Sequence, residues 1–134
     1  MTCYDRALKL LALREHSRKE LENKLRQKGC SADDILMALD RLEEENFLSD
    51  RRFCESYIRS RLRKSPEGQQ VLILRLKEKG VSSALASACV SQYFAEHEEE
   101  IDSLFKRYKE RVIEKKGEEK AMAFLYRKGI RTED

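Results

Sequence analysis

The chain has 134 residues, and its 28 Lys and Arg against 25 Asp and Glu leave a net charge of +3. With 40% charged residues, five glycines and one proline, the composition disfavours a sheet and suits helices. No segment approaches the ~20 apolar residues of a membrane span, residues 1–5 do not read as a secretory signal, and four cysteines without a spacing pattern fit a reducing cytoplasm.

Tyr4, Ala7, Leu8, Leu10, Leu11 and Leu13 predict a first helix with a broad apolar face. It should break near His16, because Ser17-Arg18-Lys19-Glu20 is a capping box for the next helix. That second helix shows a thin apolar stripe, Leu21 and Leu25, and Gly29 ends it, since glycine takes the left-handed conformation of a C-cap. Ser31 caps a third helix with Ile35, Leu36, Leu39 and Leu42 facing inward.

Residues 46–50 connect to a fourth helix capped by Ser49 or Asp50 and running to about Lys64. Ser65-Pro66-Glu67 is expected to start the fifth, with proline at the first helical position, followed by Val71, Leu72, Leu74 and Leu76. Ser82 caps the sixth, through about Phe94. A long seventh helix is expected over 98–116, its acidic first turn suiting the positive helix N-terminus. Gly117 interrupts it, and 118–128 forms the eighth. Thr132 stands where a ninth would begin, and two residues remain.

Leu-x-x-Lys-Gly occurs three times, at 25–29, 76–80 and 125–129, each followed by an apolar residue: Cys30, Val81 and Ile130. The near-constant spacing makes the chain an array of similar units. We divide it into three-helix repeats at 1–48 and 49–95, with a third at 96–134 that lacks its last helix. The expected fold is all-α, an elongated tandem array. Repeat 1 holds 9 Lys/Arg and 10 Asp/Glu, repeat 2 holds 9 and 4, and repeat 3 holds 10 and 11, so the middle repeat carries the whole positive excess.

That excess concentrates on the helix at 51–64, with six basic residues and one acid. At ~100° per residue, Arg52, Ser56, Arg59 and Arg63 share one side, opposite Phe53, Cys54, Tyr57, Ile58 and Leu62. Arg61 falls on the apolar side, where it must snorkel or pair. Guanidinium groups suit bidentate recognition of phosphate or carboxylate, and acidic partners four residues away are nearly absent along the row. A solvated face is the alternative. Elsewhere the cysteines show no metal-ligand spacing and are read as core thiols, Cys30 by analogy with Val81 and Ile130. His16 and His97 sit at helix boundaries and are read as capping or solvent residues. No phosphate-binding glycine loop is present, and exposed aromatics for stacking bases are not evident.

The chain resembles the RecX family, bacterial regulators of the RecA recombinase. The resemblance rests on residues 14–21, the Lys28-Gly29 turn, residues 47–53, residues 59–64 and residues 76–81, and it runs across essentially the whole chain. A glycine-rich loop usual in the family is replaced here by Lys64-Ser65-Pro66-Glu67-Gly68. It implies tandem three-helix repeats and a non-enzymatic regulator, mainly negative, that lies in the groove of the RecA filament on single-stranded DNA and inhibits strand exchange and ATP hydrolysis. The contact residues expected are Arg52, Arg59, Arg63 and Lys64, with Arg75, Lys77 and Lys79 on the following helix. No cofactor, metal or membrane is expected. The chain is expected to be monomeric and to meet DNA mainly through the filament, with weak direct binding besides. A stand-alone helix-turn-helix-like nucleic-acid module is the rival, and a scaffold that binds only protein a second.

Overall fold

The computed structural model describes residues 1–132 and contains eight helices and no strand among them. They are α1 (Cys3–Leu13), α2 (Arg18–Gln27), α3 (Ala32–Glu44), α4 (Asp50–Lys64), α5 (Gln69–Glu78), α6 (Ser83–Glu96), α7 (Glu98–Lys116) and α8 (Glu118–Arg127). Local chemistry sets most boundaries. Ser17, Ser31, Ser49 and Ser82 each accept a hydrogen bond from the third residue of the helix they open, and Ser17 and Glu20 complete a capping box. The three Lys-Gly turns end α2, α5 and α8 with glycine at φ +88°, +93° and +72°. Glu133 and Asp134, the two residues that follow the place where a ninth helix would begin, lie outside the described residues.

Each repeat builds its own core. In repeat 1, Leu21, Leu25, Ile35, Leu39 and Leu42 pack with Ala7 and Leu48. Repeat 2 buries Phe53, Ile58, Leu72, Leu76 and Val90, and borrows Ile101 from α7. Repeat 3 has Val112, Ala121, Leu125 and Ile130. Three expectations need correction here. Leu36 is 55% exposed, because the inward side of its helix is set by Ile35, Ala38, Leu39 and Leu42. Pro66 is not the first helical residue: residues 65–68 run outside any helix, and α5 starts at Gln69 behind Gly68. Cys30 is not a thiol but is bonded to Cys3, which brings the start of α1 against the α2–α3 turn, with Cα atoms 6.2 Å apart. Cys54 and Cys89 are free and buried, as expected.

The repeats meet at two joints built from corresponding positions. At the first, Ser17 Oγ donates to Lys79 O at 2.6 Å, and a Cβ on Gly80 would overlap Lys19 Cβ. At the second, Gly68 N donates to Lys128 O at 2.8 Å, and a Cβ on Gly68 would overlap Gly129 O. Ser17 and Gly68 are 51 residues apart and precede α2 and α5. So the turn closing one repeat's middle helix seats on the residue opening the previous repeat's middle helix. Lys28-Gly29 has no repeat before it within the chain, and a Cβ there would meet nothing within 4 Å.

Just before each cap lies a buried polar side chain, His16 at the first joint and Glu67 at the second. Each is met by the residue eight further on: Lys24 Nζ lies 2.9 Å from His16 Nε2, and Arg75 Nε donates to Glu67 Oε2 at 2.7 Å. His16 is therefore an interior residue rather than a solvent-facing cap, which corrects the expectation. Its Nδ1 lies 3.0 Å from Arg14 O.

The candidate binding face on helix α4

Ser49 opens α4, and its apolar side, Phe53, Cys54, Ile58 and Leu62, is buried, which leaves the Arg52–Ser56–Arg59–Arg63 row outward as expected. The row is not uniform. Arg52 is tied down: its Nε is 3.1 Å from Glu15 Oε2, Nη1 donates to Asn46 Oδ1 at 2.9 Å, and Nη2 to Asn46 O at 2.8 Å. Asn46 is placed for this by its left-handed backbone, φ +63°. Arg59 and Arg63 are exposed and make no ion pair or side-chain hydrogen bond among the described residues. Lys64 and Lys77 share that state.

The other expected residues are committed within the chain. Arg61 and Arg75 converge on Glu67, whose side chain is 2% exposed, with Nη2–Oε2 distances of 3.1 and 2.6 Å. Burial alone would raise the Glu67 carboxyl, but hydrogen bonds from Arg75 and Arg61 outweigh it and hold it below the usual carboxylate range. Arg61 thus pairs, as its place on the apolar side required. Lys79 Nζ stands 3.9 Å from Glu20 Oε2.

Arg59 and Arg63 border a cleft of about 360 Å³ at the first joint. Phe53 and Tyr57 line it with Ser56 and Ser60 of α4, and Arg14, Glu15, Glu20 and Lys79 close it from the joint. The structure therefore brings together Arg59, Arg63 and Lys79 of the expected set. It leaves Arg52, Lys64, Arg75 and Lys77 off the cleft lining. Arg14 is the cation that sequence reasoning missed. It is separated from Arg59 by 45 residues, and its neighbours Glu15 and Glu20 hide it in a locally neutral stretch. Its guanidinium is 3.3 Å from Glu20 Oε1. Glu15 and Glu20 are both engaged by cations, so the free charges facing the cleft are positive.

Among the described residues no group of His, Cys, Asp and Glu could hold a metal ion, and no helix is long and apolar enough to cross a membrane.

Two family models match the chain. One described as RecX, first three-helix domain, matches residues 3–42, and one described as RecX, second three-helix domain, matches residues 49–90. Relatives named regulatory protein RecX include that of Chlorobaculum tepidum, 48% identical over 77 residues, which are 58% of this chain and 48% of the relative. That of Streptococcus sanguinis is 31% identical over 126 residues, 92% of this chain and 49% of the relative. The chain thus spans about half the length of these two. The crystal structure of RecX from Lactobacillus salivarius superposes with a TM-score of 0.77 at 23% identity, covering 97% of this chain and 87% of that one. That likeness bears on the fold.

Proposed function

Since the chain belongs to the RecX family, we propose that it regulates the RecA recombinase, mainly negatively, by lying in the groove of the RecA filament on single-stranded DNA. It would slow strand exchange and ATP hydrolysis there without chemistry of its own, as a cytoplasmic monomer serving recombination, DNA repair and the SOS response. The observation that carries the reading is the free pair Arg59 and Arg63 facing the first joint's cleft, in a repeat that holds the chain's whole positive excess. An extended array suits a groove because its repeats can reach successive protomers. Lys79, Lys64 and Lys77 extend the contact. Arg52 and Arg75 support it by holding the joint and the residue 65–68 loop in place, although each keeps a partly exposed guanidinium that could turn to a partner.

The test is a titration into recombinase assembled on single-stranded DNA, following ATP hydrolysis and co-sedimentation. The double variant Arg59→Ala/Arg63→Ala should lose at least tenfold in apparent affinity with its helical circular dichroism unchanged. If phosphates are among the ligands, the slope of log affinity against log salt should also fall by about 2. Full inhibition by the variant would move the site elsewhere, and no co-sedimentation of the parent chain would overturn the filament reading itself. Tight binding of the parent chain to naked DNA at physiological salt would favour a stand-alone nucleic-acid module.

A further inference from the structure

The two cysteine pairs occupy related places and differ in access. Cys3 and Cys54 are 51 residues apart, the same spacing that relates Gly29 to Gly80, so they are corresponding residues of α1 and α4. In repeat 2, Cys54 turns into the core beside Cys89 of α6, both essentially unexposed. In repeat 1, the residue corresponding to Cys89 is Ala38, so Cys3 has no thiol beside it on α3. It meets Cys30 instead, just past the Lys28-Gly29 turn, and both are only half-buried. The corresponding Val81 and Ile130 are buried core residues. Repeat 1 has exchanged an apolar plug for a sulfur.

We propose that Cys3 and Cys30 form a reversible thiol–disulfide site that fastens α1 to the α2–α3 turn, with a low-molecular-weight disulfide such as oxidised glutathione as its oxidant. One cysteine thiolate attacks the small disulfide, forms a mixed disulfide and expels one thiol. The second cysteine attacks the mixed bond and expels the other. Two cysteine thiols are oxidised by two electrons, the small disulfide is reduced to two thiols, and those carry away the two protons. The buried Cys54 and Cys89 cannot be reached by the same reagent while the fold holds, and burial pushes the Cys54 thiol up to about 12, which removes its reactive thiolate.

The site matters because α1 is weakly held. Ala7 is its one fully buried residue; Tyr4, Leu8, Leu10 and Leu11 are partly covered, and Leu13, expected on the same face, is 82% exposed. Yet α1 leads directly into residues 14–17, which supply Arg14 and Glu15 to the cleft and Ser17 to the joint with repeat 2. A bond at the start of α1 therefore restrains the segment that frames the cleft. The proposal does not depend on the identity of the partner.

The experiment equilibrates the intact chain with oxidised glutathione or with dithiothreitol, quenches, unfolds in guanidinium chloride, counts thiols and maps linked peptides by mass spectrometry. Two thiols, at Cys54 and Cys89, are expected in the oxidised sample and four in the reduced one. Reduction should lower the melting temperature by roughly 5–15 °C and raise deuterium uptake across residues 1–17 but not across residues 83–96. The Cys3→Ser/Cys30→Ser variant should show no response to either reagent. Four thiols after oxidation, a link between Cys54 and Cys89, an equal reductant response in the double variant, or unchanged uptake at residues 1–17 would each overturn the assignment.

Discussion

At the joint between repeats 1 and 2, Ser17 and Lys79 close a cleft bordered by Arg14, Arg59, Arg63 and Lys79. At the joint between repeats 2 and 3, Gly68 and Lys128 close a larger one, about 640 Å³, whose lining includes Phe94, Ile101 and Phe105. The common element is a hydrogen bond to the carbonyl of the turn lysine, from a serine hydroxyl at the first joint and a backbone amide at the second. The side chains around it are free to diverge. The shared motif therefore builds the array, and the positions that vary set what each joint presents: the free cations Arg59 and Arg63 at the first, an apolar lining with Asp102, Lys109 and Arg131 at the second.

Gly68, Gly80 and Gly29 serve three different geometries. Gly68→Ala should cost about 3 kcal/mol, because the new methyl runs into the Gly129 carbonyl, part of the backbone. Gly80→Ala should cost about 2 kcal/mol, from its left-handed φ plus the collision with Lys19. Gly29→Ala has the same φ and open space around it, so about 1 kcal/mol remains. Chemical denaturation of the three variants checks the order. Equal costs at Gly29 and Gly80 would mean that Lys19 gives way to the added methyl at no cost.

The second joint also predicts an acid sensitivity. Glu67 is held ionised by Arg75 and Arg61, so its folded pKa lies below its unfolded one. The unfolded state then binds the proton first as pH falls, and the stabilisation is present above the unfolded value near ~4.3 and lost as pH drops through the folded one. Glu67→Gln should remove that part of the pH dependence. At neutral pH it should cost about 2 kcal/mol, less than a fully enclosed pair, because Arg61 and Arg75 stay partly exposed and can turn to water. Denaturation midpoints from pH 7 to pH 3 measure both.

Much of the fold was legible from local chemistry. Serine caps, glycine turns and helical periodicity mark boundaries within a few residues, because those signals act over one or two turns. The joints were not legible. Ser17 and Lys79 are 62 residues apart, and nothing near Ser17 distinguishes a cap that also donates outward. The same blindness explains Arg52 and Arg75: composition shows a cation, but whether a carboxylate folds back onto it depends on Glu15 and Glu67, which only the assembled joint brings close. Pro66 misled for a related reason, since its neighbour Glu67 turns inward and delays the helix. Arg59 and Arg63 stay unpaired at the cleft because α4's periodicity points them outward and no carboxylate among the described residues folds back onto them, as Glu15 does onto Arg52.

The smallest expected effect lies at the first joint, where His16 takes the place of Glu67. Burial lowers the His16 pKa, a backbone hydrogen bond with Arg14 opposes this, and the charges of Arg14 and Lys24 lower it further against the pull of Glu20. The neutral ring can accept from Lys24 at Nε2, whereas a protonated ring would set one cation against another at 2.9 Å. Because the folded pKa lies below the unfolded value of ~6.5, the unfolded chain gains the proton first as pH falls. Stability is therefore full above ~6.5 and declines below it until the folded ring also protonates. The slope has the same sign as that of Glu67 but lies about two pH units higher, so the two joints can be loosened separately. Between pH 7 and pH 5.5 the denaturation midpoint should fall slightly, by under about 1 kcal/mol in stability. His16→Gln should flatten that segment while leaving the loss below pH 4.5 intact. A decline unchanged by His16→Gln would assign it to another group and leave the first joint indifferent to pH.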